Sequence, residues 1–127
     1  MLISGKKILL FEKYEGVRFV LERSLSKYKR RIEIYSSQRK TDIFNRIKKD
    51  PVDLLITELS EVTSDGMEIS NFARLMNPDL KIIWITVCGC HKFSEQREKL
   101  GDITCIEKPL EIEIFRESVL KALAISN

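Results

Sequence analysis

The sequence has no run approaching the roughly 20 consecutive apolar residues that a membrane-spanning helix needs. No membrane contact is expected. The opening Met-Leu-Ile-Ser-Gly-Lys-Lys places its charges after the apolar residues, the reverse of a secretory signal. Cysteine is scarce: there are three, so any disulfide scheme within one monomer leaves a thiol over. A chain of this size does not need covalent staples, which makes reduced thiols in a cytoplasm the expectation. Histidine is rarer still, with His91 alone, and no Ser-His-Asp or paired-acid spacing suggests a hydrolase. Glycine is too sparse for a phosphate cradle: Phe11-Glu12-Lys13-Tyr14-Glu15-Gly16 offers one glycine, and an acid where a phosphate would sit, which argues against a flavin protein. Repeats, linkers and low-complexity tracts are absent. A large excess of either charge is missing too, the net charge being +3. The one basic cluster, Lys27, Lys29, Arg30 and Arg31, is interleaved only with Tyr28 and reads as a solvated turn rather than a nucleic-acid contact.

What is present fits one domain spanning residues 1–127, with 43% hydrophobic and 32% charged residues. Val52-Asp53-Leu54-Leu55-Ile56-Thr57-Glu58 is a short apolar run, too short for a helix, that ends in a carboxylate; such runs fit strands buried on both faces. Lys7 to Phe11, Lys81 to Val87 and Ile103 to Ile106 read the same way, while Ile32 to Tyr35 alternates as an edge strand does. Between them lie helical stripes: Val17, Val20, Leu21 and Leu25; Ile43, Phe44 and Ile47, with Thr41 as cap and Asp50-Pro51 as stop; Ile69, Phe72, Ala73 and Met76 after an Asp65-Gly66 turn. His91 to Leu100 is a weaker helical segment, and the last helix spans about Glu111 to Ala124, with Phe115, Val119, Ala122 and Leu123 inward.

Five strands alternating with five helices make repeated βαβ units. Right-handed crossovers give an α/β fold: a three-layer, doubly wound, flavodoxin-like domain on a five-stranded parallel sheet. With strand order 2-1-3-4-5, the crevice outside the carboxyl ends of the first and third strands is the switch point where ligands collect. Glu12 and Lys13, Glu58, Thr86 and Lys108 all stand at or just after such ends.

This spacing resembles the receiver domain of two-component response regulators, over Lys7 to Leu123. Thr86, Lys108-Pro109 and Asp65-Gly66 match that family's pattern. The resemblance implies a signalling module without enzymatic activity, in which an acidic pair binds Mg²⁺ and an aspartate accepts phosphate from a histidine kinase. It also implies a usually cis Lys-Pro bond, and a partner face made by the fourth helix, fifth strand and fifth helix. Here the pattern departs. The acidic pair is Glu12-Lys13, the phosphoacceptor position is Glu58, and the position of the switching aromatic is Cys105. The loop Leu59 to Ser64 lacks the usual proline.

An ammonium cannot ligate Mg²⁺. With Glu12 and Glu58 facing Lys13 and Lys108, the site is expected to be self-neutralised and metal binding weak or absent. Glu58, longer than Asp by a methylene, is expected to accept hydrogen bonds from Lys108 and the Thr86 hydroxyl. The expected function is therefore an atypical, phosphorylation-independent bacterial receiver that binds a protein partner or a second copy of itself, with no resident cofactor. The alternative is a phosphorelay receiver that takes phosphate with Mg²⁺ at the modified site. Cys88, Cys90, His91 and Cys105 lie near the same face: a zinc set, a disulfide of Cys105 with Cys88 or Cys90, or a Cys105 that simply packs are the three readings.

Overall fold

The computed structural model describes residues 5–126; the N-terminal Met-Leu-Ile-Ser and the final asparagine lie outside the described residues. Five strands, β1 (Lys6–Phe11), β2 (Ile32–Ser37), β3 (Leu54–Leu59), β4 (Lys81–Thr86) and β5 (Ile103–Glu107), form one parallel sheet in the order β2-β1-β3-β4-β5. Five helices connect and follow them: α1 (Glu15–Ser24), α2 (Lys40–Lys49), α3 (Asp65–Met76), α4 (Ser94–Leu100) and α5 (Ile112–Ala122). Short 3-10 turns stand at Ser26–Tyr28 and Cys90–Phe93. The doubly wound topology expected from the alternating pattern is the one observed.

Alternation along each strand sorts side chains between two cores. Ile8, Leu10, Leu54, Ile56, Ile83 and Ile85 pack against Leu21 and Leu25 of the α1 side and Phe115 and Val119 of α5. Leu9, Phe11, Leu55, Leu59, Ile82 and Trp84 pack instead against Ile43 of α2 and Ile69 and Ala73 of α3. The central strands are apolar throughout because both of their faces are covered.

Several local expectations are corrected. Thr41 does not cap α2; it lies inside the helix, whose N-cap residue is Arg39. The preceding Ser37 does the local work, accepting the Arg39 N–H at 2.9 Å and donating to Asp42 Oδ2 at 2.8 Å. Val20 and Met76 follow the helical stripes in sequence but are exposed, because each sits at the margin of an apolar arc wider than the sheet can cover. Asp65-Gly66 is not a turn before the helix but its first two residues. A Cβ at Gly66 would stand 1.9 Å from the Glu58 carbonyl oxygen, so the glycine lets α3 begin against the end of β3. The basic cluster from Lys27 to Arg31 is exposed, in and after the 3-10 turn that leads into β2.

Candidate functional site

The carboxyl ends of β1, β3 and β5 bring Glu12, Glu58 and Lys108 together. Lys108 Nζ lies 2.9 Å from Glu12 Oε1 and 3.0 Å from Glu58 Oε2. The Glu12 side chain is 1% exposed, that of Glu58 13% and that of Lys108 14%, so bulk water screens little of this cluster. Lys108 is presented by the loop after β5, where its N–H donates to the Thr86 carbonyl at 2.8 Å and its bond to Pro109 is cis.

Glu12 is held from both sides. Its Oε2 accepts the Tyr14 N–H at 3.1 Å, while Arg18 Nη1 donates to the Glu12 carbonyl at 2.6 Å. Burial raises the Glu12 pKa above its ordinary value, even against the hydrogen bond from Lys108. Burial also acts to lower the Lys108 pKa, yet the hydrogen bonds to Glu12 and Glu58 outweigh it and hold the ammonium above the ordinary lysine range. The cluster therefore favours a cation at its centre. The aromatic ring of Tyr14 lies 5.8 Å from Lys108 Nζ and adds to that preference.

Of the five strand-end residues singled out in the sequence, Glu12, Glu58 and Lys108 converge, and the side chains of Lys13 and Thr86 do not join them. Lys13 is exposed, and among the described residues no ion pair ties it to the cluster. Glu12 and Lys13 both lie beyond the end of β1, and the chain bends at Lys13, which leaves Glu12 buried and Lys13 exposed. The expected balance of two acids and two ammonium groups is thus two acids around one ammonium. Thr86, though fully buried, does not reach Glu58. Its hydroxyl pairs with Cys88 Sγ at 2.9 Å and accepts the Cys88 N–H at 3.2 Å. Tyr14 and Arg18 are members of the site that the sequence did not single out. Only Arg18 carries a hint, since one helical turn carries its side chain back over the end of β1.

The cysteine set resolves into a disulfide. Cys90 and Cys105 are bonded, with Cα atoms 5.9 Å apart, and Cys88 is free. Cys105 is therefore neither a reduced core thiol nor a zinc ligand here, and among the described residues no group of His, Cys, Asp and Glu is gathered as a metal set. His91 is exposed on the same loop.

No family model matches the chain. Its sequence is 22% identical over 123 residues to the sporulation initiation phosphotransferase F of Bacillus subtilis, covering 97% of this chain and 98% of that protein. It is 25% identical over 118 residues to the response regulator receiver protein CpdR of Brucella abortus, covering 93% and 97% respectively. Among solved structures, the non-phosphorylated HemR receiver domain from Leptospira biflexa superposes with a TM-score of 0.82 at 19% identity, covering 96% of this chain and 97% of that one.

Proposed function

We propose that this chain, a receiver domain of the response-regulator type, serves two-component signalling as a protein-interaction module that takes up no phosphoryl group. One observation carries the proposal: the Lys108 ammonium bridges Glu12 and Glu58, the two acids nearest to where a metal would be held. A divalent cation would have to displace that ammonium from a site it fills with two short contacts. The side chain of Lys13, at the remaining ligand position, has no oxygen to offer. The donor set therefore does not fit Mg²⁺, which needs near-octahedral oxygen coordination. Without a metal to clamp the transferring oxygens, a carboxylate one methylene longer than aspartate is a poor phosphoryl acceptor.

Glu58 is best understood as the acid of a buried ion pair in a retired switch. A standing imitation of the phosphorylated state would draw the Thr86 hydroxyl to Glu58, and that hydroxyl is bonded to Cys88 instead. The domain acts by binding, not by catalysis. Its partner, a signalling protein or a second copy of the chain, docks on the face of α4, β5 and α5, where Ile114 leaves an apolar side chain exposed. No helix among the described residues is long and apolar enough to cross a membrane, and a cytoplasmic setting accords with this role. A phosphorelay receiver is the second reading, favoured by the likeness along 97% of the chain to the Bacillus phosphotransferase.

Incubation with acetyl phosphate, with and without MgCl₂, followed by intact mass spectrometry separates the two. An unchanged mass is expected. A phosphoryl group added at Glu58 would establish the relay and overturn the proposal.

A further inference from the structure

The loop between β4 and α4 is pinned to the rest of the domain by one covalent bond and a few surface contacts. Cys90 is linked to Cys105 of β5, 15 residues further along the chain. Its N–H donates to Glu107 Oε1 at 2.9 Å. Lys92 pairs with Glu61 of the loop after β3, and the Phe93 ring meets Trp84 edge-on with centroids 6.2 Å apart. Both bonded cysteines are only half-buried, and β5 is an edge strand. Of the two apolar cores, the one that holds Trp84 has Cys105 packed at its margin, partly buried. Of the segment 87–93, only Phe93 packs against either of them, and only partly buried.

We propose that the Cys90–Cys105 bond is a redox-responsive link: oxidised, it fixes the β4–α4 loop and α4 against β5, and a dithiol reductant releases them. One thiolate of the reductant attacks either sulfur, breaking the S–S bond and expelling one cysteine as thiolate. The second thiolate of the reductant then attacks the mixed disulfide and expels the other cysteine. Two electrons and two protons pass to the protein, and the reductant departs as its own disulfide. In a cytoplasmic setting a reachable disulfide meets such dithiols continually, and disulfides found there are more often redox-sensing than structural. The released segment borders the α4–β5 side assigned above to partner binding, so thiol oxidation supplies an input where phosphate supplies none. No step involves Glu58, and the thiol measurements stand or fall separately from the phosphorylation assay.

The test uses the full chain, equilibrated in buffers of graded reduced and oxidised dithiothreitol, quenched with acid and alkylated with a maleimide. Intact mass and peptide mapping then count the thiols, and hydrogen–deuterium exchange is read on both forms. One modified thiol, Cys88, is expected at the oxidised end and three at the reduced end. Amides of the segment 87–100 should exchange about tenfold faster or more on reduction, with β1 and β3 unchanged. The variant Cys90→Ser with Cys105→Ser should exchange like the reduced protein under all buffers, and Cys88→Ser should respond like the parent. Three modifiable thiols in every buffer would overturn the inference, as would a disulfide that includes Cys88. Equal exchange in the two forms, or loss of protection throughout the sheet on reduction, would also overturn it, since the bond would then be idle or purely structural.

Discussion

Replacing Lys108 by Met removes the cation but keeps a stem of similar length against Tyr14. Glu12 and Glu58 are then left facing each other across the space that Nζ filled at 2.9 and 3.0 Å. Two unit charges about 6 Å apart repel by about 3 kcal/mol at an effective dielectric of about 20. Breaking a buried ion pair from one side costs about 3–5 kcal/mol by a separate route, and the two figures agree. That is a large share of the ~5–15 kcal/mol that holds a domain folded. The loss should depend on pH in a definite direction. Burial already raises the Glu12 pKa; without the lysine it rises further, so the folded variant binds a proton that the unfolded chain has released. The penalty is therefore full in alkali and shrinks as pH falls towards the carboxylate range. Urea denaturation at about pH 8 should show a loss of about 3–5 kcal/mol, and a smaller one as pH falls into the carboxylate range. Adding Glu58→Gln to Lys108→Met should restore about 2 kcal/mol or more, because one charge of the repelling pair is gone. A loss below about 1 kcal/mol that does not change with pH would refute the reasoning, since exposed pairs behave that way.

Lys108 itself sets an alkaline limit. Its folded pKa lies above the ordinary 10.5, so its contribution is complete below that pH and is lost as pH rises through the folded value. Urea midpoints of the parent should fall from about pH 10.5 upward, and those of Lys108→Met should lack this decline; parallel curves would count against the ion pair. Gly66→Ala places a methyl group 1.9 Å from the Glu58 carbonyl oxygen. Because the obstacle is backbone, α3 must shift, and a loss of about 3 kcal/mol or more in chemical denaturation is expected. Trp84→Phe deletes the indole N–H that donates to Ser70 Oγ at 2.9 Å. A loss of about 1–3 kcal/mol should follow, as the buried Ser70 keeps its bond to the Gly66 carbonyl but loses a donor. Finally, Lys13→Asp with Glu58→Asp supplies the missing oxygen ligand and withdraws the longer acid. Calorimetry should then detect saturable Mg²⁺ binding absent from the parent, and acetyl phosphate should add a phosphoryl group. A double variant that still binds no Mg²⁺ would show that something other than these two residues closes the site.

The sheet was legible because its signal is redundant. Apolar runs such as Leu54 to Thr57 and Lys81 to Val87 are too short for helices and too continuous for exposed strands, so burial on both faces follows from composition alone. Once the strand order is fixed, the residues at the carboxyl ends are fixed as well, and Glu12, Glu58 and Lys108 meet as expected. What escaped is decided at the scale of a single rotamer or a single pleat. Glu12 and Lys13 adjoin in sequence, which suggests a shared site, yet past the end of β1 the chain bends at Lys13, and Glu12 is buried while Lys13 is exposed. Thr86 sits where expected, but its hydroxyl can pair with any acceptor or donor in reach, and it pairs with a cysteine two residues on rather than with the acid on the next strand. The pairing of Cys90 with Cys105 depends on how far the loop after β4 folds back over β5, a tertiary fact with no local trace. Gly66 looked like punctuation; its meaning came from the Glu58 carbonyl, eight residues earlier and on another element. Burial and alternation therefore fix which residues reach the site, and rotamers and loop closure fix what they do there. That division explains why the ion pair was foreseeable and the disulfide was only one of several readings. It also marks Lys13→Asp as the informative change: it places a carboxylate beside Glu12, at an exposed bend just past the end of β1.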